Sequence, residues 1–407
     1  MEAALPLDTS SRLPVTVLSG FLGAGKTTVL QHLLRHAGGR RLAVLVNDMA
    51  ETNIDAALLD AEGSGIRGRD MVELSNGCIC CTLREELVTE IAALARRGQF
   101  DALVIESTGI SEPMPVAAGF ELPIDAGRVL ADVARLDTMV TVVDAAGFLR
   151  DYCSRERLAD RGLAAEAGDE RHIVDLLADQ VEFADIILLN KAELLAEPEL
   201  RRLRELVAAL NPAATIIPCS HGAVPAASLI DTGRFDPARA RMAAGWQKAL
   251  AGEHVPESEE FGIGSFVWRA RRPLHPGRAA ALLRAPLPGV IRAKGVLWLA
   301  SRHDWAAQWH LAGGQRRFTP AGVWWAARPR TGWPRSAAWQ DWLAGQWQDP
   351  WGDRRQEIAF IGQRMPQSAI LAALDSCLLT DAEMASGPAG WRGMPDPLPR
   401  WQALAVA

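Results

Sequence analysis

Lysine is almost missing from this 407-residue chain: 43 residues are basic, yet only Lys26, Lys191, Lys248 and Lys294 are lysine. Where arginine has displaced lysine so widely, a surviving lysine suggests a position that needs a compact ammonium rather than a planar fork. No apolar run reaches membrane-spanning length, and Met1 to Arg12 lacks the basic start and apolar centre of a signal peptide, so no membrane partner and a cytoplasmic location are expected. The formal net charge of −6 gives no electrostatic reason to expect nucleic acid as a partner. Disulfides are not expected either, because three of the six cysteines crowd into residues 78–81, the pattern of a reduced thiol site. Tryptophan is absent from the first 245 residues, and all 14 lie at or beyond Trp246. Such a break in composition marks a second domain with its own core.

What is present begins with Gly20-Phe21-Leu22-Gly23-Ala24-Gly25-Lys26-Thr27, which fits the phosphate-binding pattern G-x-x-x-x-G-K-[ST]. Glycines let such a loop curl its N–H groups around phosphates, Lys26 reaches the outer phosphates, and Thr27 offers its hydroxyl to Mg²⁺. Context agrees: Leu13 to Ser19 reads as a buried strand and Thr27 to Arg35 carries helical spacing. Further strands are expected at Leu42 to Asn47, Ala102 to Ile105, Thr138 to Val143, Ile186 to Leu189 and Thr215 to Ile217. Helices are expected at Leu87 to Arg97 and Leu200 to Leu210. This alternation predicts an α/β fold, a three-layer parallel-sheet domain over residues 1–232. A linker is expected over 233–260, then a smaller α+β domain over 261–385 with a Trp-rich insertion around 320–352, and an irregular Pro- and Gly-rich tail over 386–407. Within the second domain, Ile263 to Ala270, Gly295 to Ala300 and Glu357 to Ile361 read as strands and Pro366 to Leu374 as a helix.

Three thiols, Cys78, Cys80 and Cys81, stand in Gly77-Cys78-Ile79-Cys80-Cys81 just before a capping box of Thr82 and Glu85. Thiolates at this spacing can supply two or three ligands to a soft or borderline ion, Zn²⁺ or Cu(I), although buried small hydrophobes or a redox pair use the same residues. Glu106 ends an apolar strand, where a carboxylate meets Mg²⁺ directly or through water, and Gly109 can offer its amide to a γ-phosphate. Asn190-Lys191-Ala192-Glu193 follows another strand and resembles the guanine-reading Asn-Lys-x-Asp, with glutamate keeping the charge one methylene further out. A carboxylate there accepts from guanine's ring N–H and amine, so GTP is favoured over ATP. Cys219-Ser220-His221-Gly222 reads as a base-side loop with Ser220 near the nucleotide. Cys153, Cys219 and Cys377 otherwise read as small hydrophobes, and the isolated His303 and His310 as structural. The tryptophans of the insertion read as core, with a client-binding surface as the alternative.

The phosphate loop Gly20 to Thr28, the Gly-Cys-x-Cys-Cys element, Glu106-Ser107-Thr108-Gly109 and Asn190 to Glu193 occur in the order seen in CobW-type metallochaperone GTPases. Glu259 to Pro276, Ala293 to Arg302 and Gly352 to Gly362 resemble the CobW C-terminal domain of the zinc-responsive bacterial branch. The resemblance implies GTP hydrolysis that gates delivery of a metal, often zinc, to a client metalloprotein. It extends the phosphate site to Gly23, Ala24, Gly25 and Thr28, and makes Asp48 and Glu51, in a divergent Asn-Glu-x-Gly-Glu segment, candidate metal or switch residues. Activators that insert iron or cobalt into enzymes such as nitrile hydratase share the framework. A small-molecule kinase on a phosphate-loop fold and a nucleotide-gated binding module with negligible turnover are the readings outside it.

Overall fold

A computed structural model describes residues 12–46, 71–73, 84–120, 122–125, 128–164, 169–237 and 261–401, and the chain divides into two compact units at Gly245/Trp246. The strands of the first unit are β1 (Leu13–Gly20), β2 (Leu42–Val46), β3 (Met71–Glu73), β4 (Ala102–Glu106), β5 (Pro123–Asp125), β6 (Arg128–Val129), β7 (Ala134–Asp144), β8 (Ile186–Asn190) and β9 (Thr215–Pro218). Seven of them form one sheet in the order β3-β2-β4-β1-β7-β8-β9, with every neighbouring pair parallel.

Alternate residues of the same strands feed two separate cores, which is why these strands read as unbroken apolar runs. Val15, Val17, Ala43, Leu45, Leu103 and Ile105 pack with Leu87, Val88 and Ile91 of the helix Arg84–Arg97. Leu18, Val44, Val46, Val104, Val142 and Leu188 pack on the other face with Val29, Leu30 and Leu33 of the helix Lys26–Arg35. The three-layer α/β expectation is met. The sheet grows outward from β1 in both directions, so the carboxyl ends of β1, β4 and β8 converge on one crevice.

Residues 232–235, where the linker is expected to begin, are held to the first unit. A bulge in β7 adds Asp137 opposite Val15 and Thr16, and its buried carboxylate accepts from Thr232 N (2.7 Å) and Gly233 N (2.8 Å). Phe235 N donates to Asp137 O at 2.8 Å, and the ring packs on the first core. Bulges re-aim side chains in this way, and here one fastens residues 232–235 to the first unit.

The second unit is an antiparallel sheet of β10 (Ile263–Ala270), β11 (Val290–Trp298), β12 (Trp305–Ala312), β13 (Gln315–Val323) and β14 (Gln356–Gln363), ordered β10-β14-β11-β12-β13. Phe266, Phe360, Ala293 and Leu311 stand in cross-strand register and pack with Ala279 and Leu283 of the helix Pro276–Arg284 and Ile370 and Leu374 of the helix Gln367–Ser376. Strands β12 and β13 were not anticipated. Edge strand β13 opens on the polar run Gln315-Arg316-Arg317 and contains Pro320, which an edge tolerates but which hides a strand in a sequence. The expected insertion at 320 therefore starts inside β13. The tail is also more ordered than its composition suggests: a helix spans Gly387–Trp391, and the Trp391 ring is fully buried with its indole N–H donated to Glu383 O at 2.8 Å. Ser301 and Arg302 hold Asp396 at 2.7 and 2.8 Å, fixing the following turn.

His303 is structural, as an isolated histidine should be. It sits among Trp298, Trp351 and Trp391 with ring centroids 5.5 to 5.8 Å away, and Trp298 Nε1 donates to its Nδ1 at 3.3 Å. Burial, aided by Arg354, lowers its pKa from 6.5 to about 4. His310, opposite Lys294 and Arg317 in register, is lowered to about 3 by burial and then by Lys294. Both are held neutral in the fold, so the unfolded chain binds more protons below pH 6.5. Their contribution to stability is complete above pH 6.5 and is lost as pH falls toward 4. Because every tryptophan lies at or beyond Trp246, tryptophan fluorescence reports this unit alone. The urea midpoint read that way should fall steadily between pH 6.5 and 4.5, and less steeply in a His303→Gln variant. A midpoint independent of pH over that window would contradict the burial of neutral histidine.

Candidate nucleotide site

The phosphate loop connects β1 to the helix Lys26–Arg35. Gly23 and Gly25 take left-handed conformations, with φ of 73° and 98°. Gly25 is required twice over, because a Cβ there would lie 2.3 Å from Asn190 Nδ2. Ala24 N closes a turn on Phe21 O at 3.1 Å. Lys26, only 7% exposed, aims its ammonium along the loop, donating to Gly20 O (3.0 Å) and Phe21 O (3.3 Å). Thr27 and Thr28 follow in the first helical turn, where unpaired N–H groups and the helix dipole favour anions.

The residues expected to hold Mg²⁺ meet: Thr27 Oγ1 donates to Glu106 Oε1 at 2.9 Å, and Glu106 is 6% exposed at the end of β4. Two oxygens converging beside a phosphate loop are the donor set a hard cation prefers. Beyond Glu106 the chain turns under the loop: Ser107 N donates to Leu18 O at 3.0 Å, and Thr108 Oγ1 bonds Ser111 Oγ. A Cβ on Gly109 would lie 2.7 Å from Leu22 N, so the predicted γ-phosphate residue does sit against the phosphate loop.

On the base side, Asn190 is 2% exposed and points inward rather than to solvent. Its Nδ2 donates to Ala24 O at 2.9 Å, while its Oδ1 accepts from Gly222 N (2.9 Å) and Cys219 Sγ (3.6 Å). Burial, and then Glu193, raise the Cys219 thiol to about 11, so it remains a donor. Cys219 is thus part of the site, contrary to its reading as a bystander, whereas Cys377 is buried as expected and Cys153 is exposed. Lys191 takes a positive φ of 60° and its Nζ reaches Asp144 Oδ2 at 2.8 Å. Glu193 Oε1 lies 3.5 Å from His221 Nδ1, which places the carboxylate expected to read the base beside the 219–222 loop that carries Ser220.

Asp144 is the residue that sequence reasoning missed. It closes β7, and its other oxygen accepts from Ala146 N (3.0 Å) and Gly147 N (3.1 Å). The signal was available, since an acid at the carboxyl end of a parallel strand is what singled out Glu106. Cys78, Cys80, Cys81, Asp48 and Glu51, the expected zinc ligands, lie outside the described residues. Among the described residues no three His, Cys, Asp or Glu side chains gather to hold a metal, and no helix is long and apolar enough to cross a membrane.

Since Asp144 fixes Lys191, Asp144→Asn should release that lysine and weaken GTP binding by roughly tenfold, about 1.4 kcal/mol. Pyrophosphate, which has no base, should bind the variant as it binds the parent. Calorimetric titration of both ligands checks this, and an equal loss for the two would remove Asp144 from the base side.

The chain matches two family models in succession, "CobW/HypB/UreG, nucleotide-binding domain" over residues 14–218 and "Cobalamin synthesis protein cobW C-terminal domain" over residues 263–378. It is 44% identical over 400 residues to the zinc-regulated GTPase metalloprotein activator 1 of Dictyostelium discoideum, covering 95% of this chain and 84% of that protein. It is 38% identical over 238 residues to the zinc chaperone CobW of Pseudomonas aeruginosa, covering 55% of this chain and 61% of that one. Among solved structures, the Zn(II)-bound YjiA GTPase from E. coli aligns over 90% of this chain and 99% of its own at 22% identity, with a TM-score of 0.42. Two consecutive models and a likeness that runs nearly end to end establish that this protein belongs to the CobW family of nucleotide-binding proteins.

Proposed function

We propose that this chain is a GTPase metallochaperone that takes zinc on Cys78, Cys80 and Cys81, with Asp48 or Glu51 completing the site, and passes it to a client metalloprotein under control of GTP. The observation that carries the reading is the 2.9 Å meeting of Thr27 and Glu106 beneath a phosphate loop stapled by Asn190. Those oxygens would hold Mg²⁺, which when bound offsets the phosphate charge. Lys26 and the N–H groups of Gly23 to Thr28 bind and orient the phosphates. Gly109 gives its amide toward the terminal phosphate, and Glu193 with Ser220 faces the base. Relatives named zinc chaperones and a zinc-regulated GTPase activator support zinc over iron or cobalt, and a chaperone over a kinase. The reading belongs to the cytoplasm, where thiols stay reduced.

A route for coupling runs through one core. Helix Arg84–Arg97 starts three residues after Cys81, and its Leu87 and Val88 pack in the same cluster as Ile105 of β4 and Val116 and Phe120 beyond Gly109. A shift of the Glu106 to Gly109 turn on loss of phosphate would therefore reach the helix that follows the thiols.

Lys26→Ala should abolish GTP hydrolysis while leaving the far-ultraviolet circular dichroism and thermal unfolding of the full chain unchanged. Turnover that survives in a folded variant would remove the phosphate-loop assignment. Zinc affinity should change with GTP·Mg²⁺ by on the order of 1–3 kcal/mol, and GTP affinity should change with zinc by the same factor, because linkage is reciprocal. Cys80→Ser should weaken Zn²⁺ binding and reduce that coupling, with GTP affinity in metal-free buffer kept. Zinc titrations that overlay with and without GTP would leave a GTPase but no gated chaperone.

A further inference from the structure

Residues 330–347 of the second unit line an open cavity of about 660 Å³, large enough for more than one side chain. Trp333, Trp339 and Trp347 wall it, Leu343 floors it, and Arg330 and Arg335 stand at its rim. The indoles brace one another, with Trp333 5.7 Å from Trp339 and 5.6 Å from Trp347 between centroids, and Trp325 supports Trp339 from behind at 4.9 Å. One helical turn beyond Trp339, Trp342 is 47% exposed, so apolar surface continues outside the cavity along the helix Ala337–Gln346.

The charged residues that line the cavity are of one sign, and the one acid bonded to its wall, Asp349, accepts from the Trp347 indole N–H at 3.1 Å. Six arginines of this unit are matched to carboxylates, Arg269 and Arg355 to Glu357, Arg272 to Asp381, Arg278 to Glu383, Arg302 to Asp396 and Arg392 to Asp304, while Arg271, Arg284 and Arg316 donate to backbone carbonyls. Arg330 and Arg335 have no carboxylate partner among the described residues, and no acid lines the cavity. Arg330 lies 5.5 Å over the Trp333 ring, a cation–π contact that positions the guanidinium while leaving its N–H groups to accept a ligand.

We infer that this cavity docks a short acidic segment of a partner protein, with an apolar or aromatic anchor entering between the tryptophans and flanking carboxylates meeting Arg330 and Arg335. Aromatic and arginine side chains around a desolvated pocket are what concentrates binding energy at protein interfaces. A peptide fits better than a small molecule because the apolar surface runs on to Trp342, past the cavity wall. A bilayer surface would not use a concave pocket. The inference rests on the chaperone reading, which requires a client to be met, and it makes the tryptophans beyond β13 more than core.

The test uses the full chain and fluorescein-labelled peptides of about ten residues in fluorescence anisotropy. One peptide carries phenylalanines among aspartates and glutamates, a second has serine for the phenylalanines, and a third has lysine for the acids. The first should bind about tenfold or more tighter than the others. Its affinity should drop by a similar factor in Trp339→Ala and in Arg330→Glu with Arg335→Glu, and stay unchanged in Arg204→Glu on the first unit. An unchanged urea midpoint read by tryptophan fluorescence shows that the second unit of each variant is folded, and retained GTP hydrolysis separates this outcome from failure of the GTPase reading. Overturning results are a chain that binds none of the peptides or all alike, and binding that survives the rim and Trp339 substitutions. Phosphatidylserine vesicles captured through the same arginines while the acidic peptide is ignored would also overturn it.

Discussion

One buried carboxamide fixes the geometry on which the nucleotide site depends. Asn190 leaves β8 with its side chain turned under the phosphate loop, donating to Ala24 O and accepting from Gly222 N and Cys219 Sγ. At 2% exposure it has no water to fall back on, so losing either partner leaves a polar group stranded at a cost of roughly 1–3 kcal/mol. The loop for phosphates and the loop for the base are thereby one rigid part. The same bond explains two sequence choices, a glycine at 25 where a Cβ would strike Nδ2, and a thiol at 219 whose high pKa keeps it a donor.

Around that staple, charged side chains are held in place by hydrogen-bond partners rather than left to find their positions. Lys191 is tied to Asp144, Asp144 is in turn held by two backbone amides, and Thr27 is tied to Glu106. Side chains oriented in this way lose little further rotamer freedom when a ligand arrives, which is the physical content of preorganisation. Glu193 differs: its partner His221 is exposed, so this carboxylate is the least constrained member of the constellation. The glutamate at the position proposed to read the base therefore stands where one exposed partner leaves it room to move.

Most of the first unit was legible because its strands are buried on both faces and appear as apolar runs ended by functional residues. Gly25, Lys26, Glu106 and Asn190 were found from such boundaries. Asp144 escaped because attention to the run Thr138 to Val143 stopped one residue short of its end. Residues 233–235 escaped for another reason: what holds them is a buried Asp137 more than 90 residues away in sequence, and long-range hydrogen bonds have no periodicity. In the second unit β12 had a readable alternation, with Ala307, Trp309 and Leu311 on one face, but the density of tryptophan beyond it suggested an insertion instead. Proline-bearing β13, with its polar start, carries little strand signal of its own and is paired along one edge only.

The scarcity of lysine acquires a structural meaning from these contacts. Arginine in this chain acts as a fork: Arg161 spans Asp151 and Glu156, Arg278 grips both oxygens of Glu383, and Arg302 holds Asp396 while lying 4.2 Å over Trp401. Each task needs several N–H groups in one plane or a flat face. Lys26 and Lys191 do something different, delivering a single ammonium on a slender stem into a tight bend. Lys26 does so from within the first helical turn against the carbonyls of its own loop, and Lys191 from a left-handed residue. A guanidinium is wider than the space a phosphate loop leaves above its own backbone, and its donors cannot all be satisfied by two converging carbonyls. Two of the four lysines, Lys26 and Lys191, thus stand at two sides of the same candidate site, each as a point charge rather than a fork.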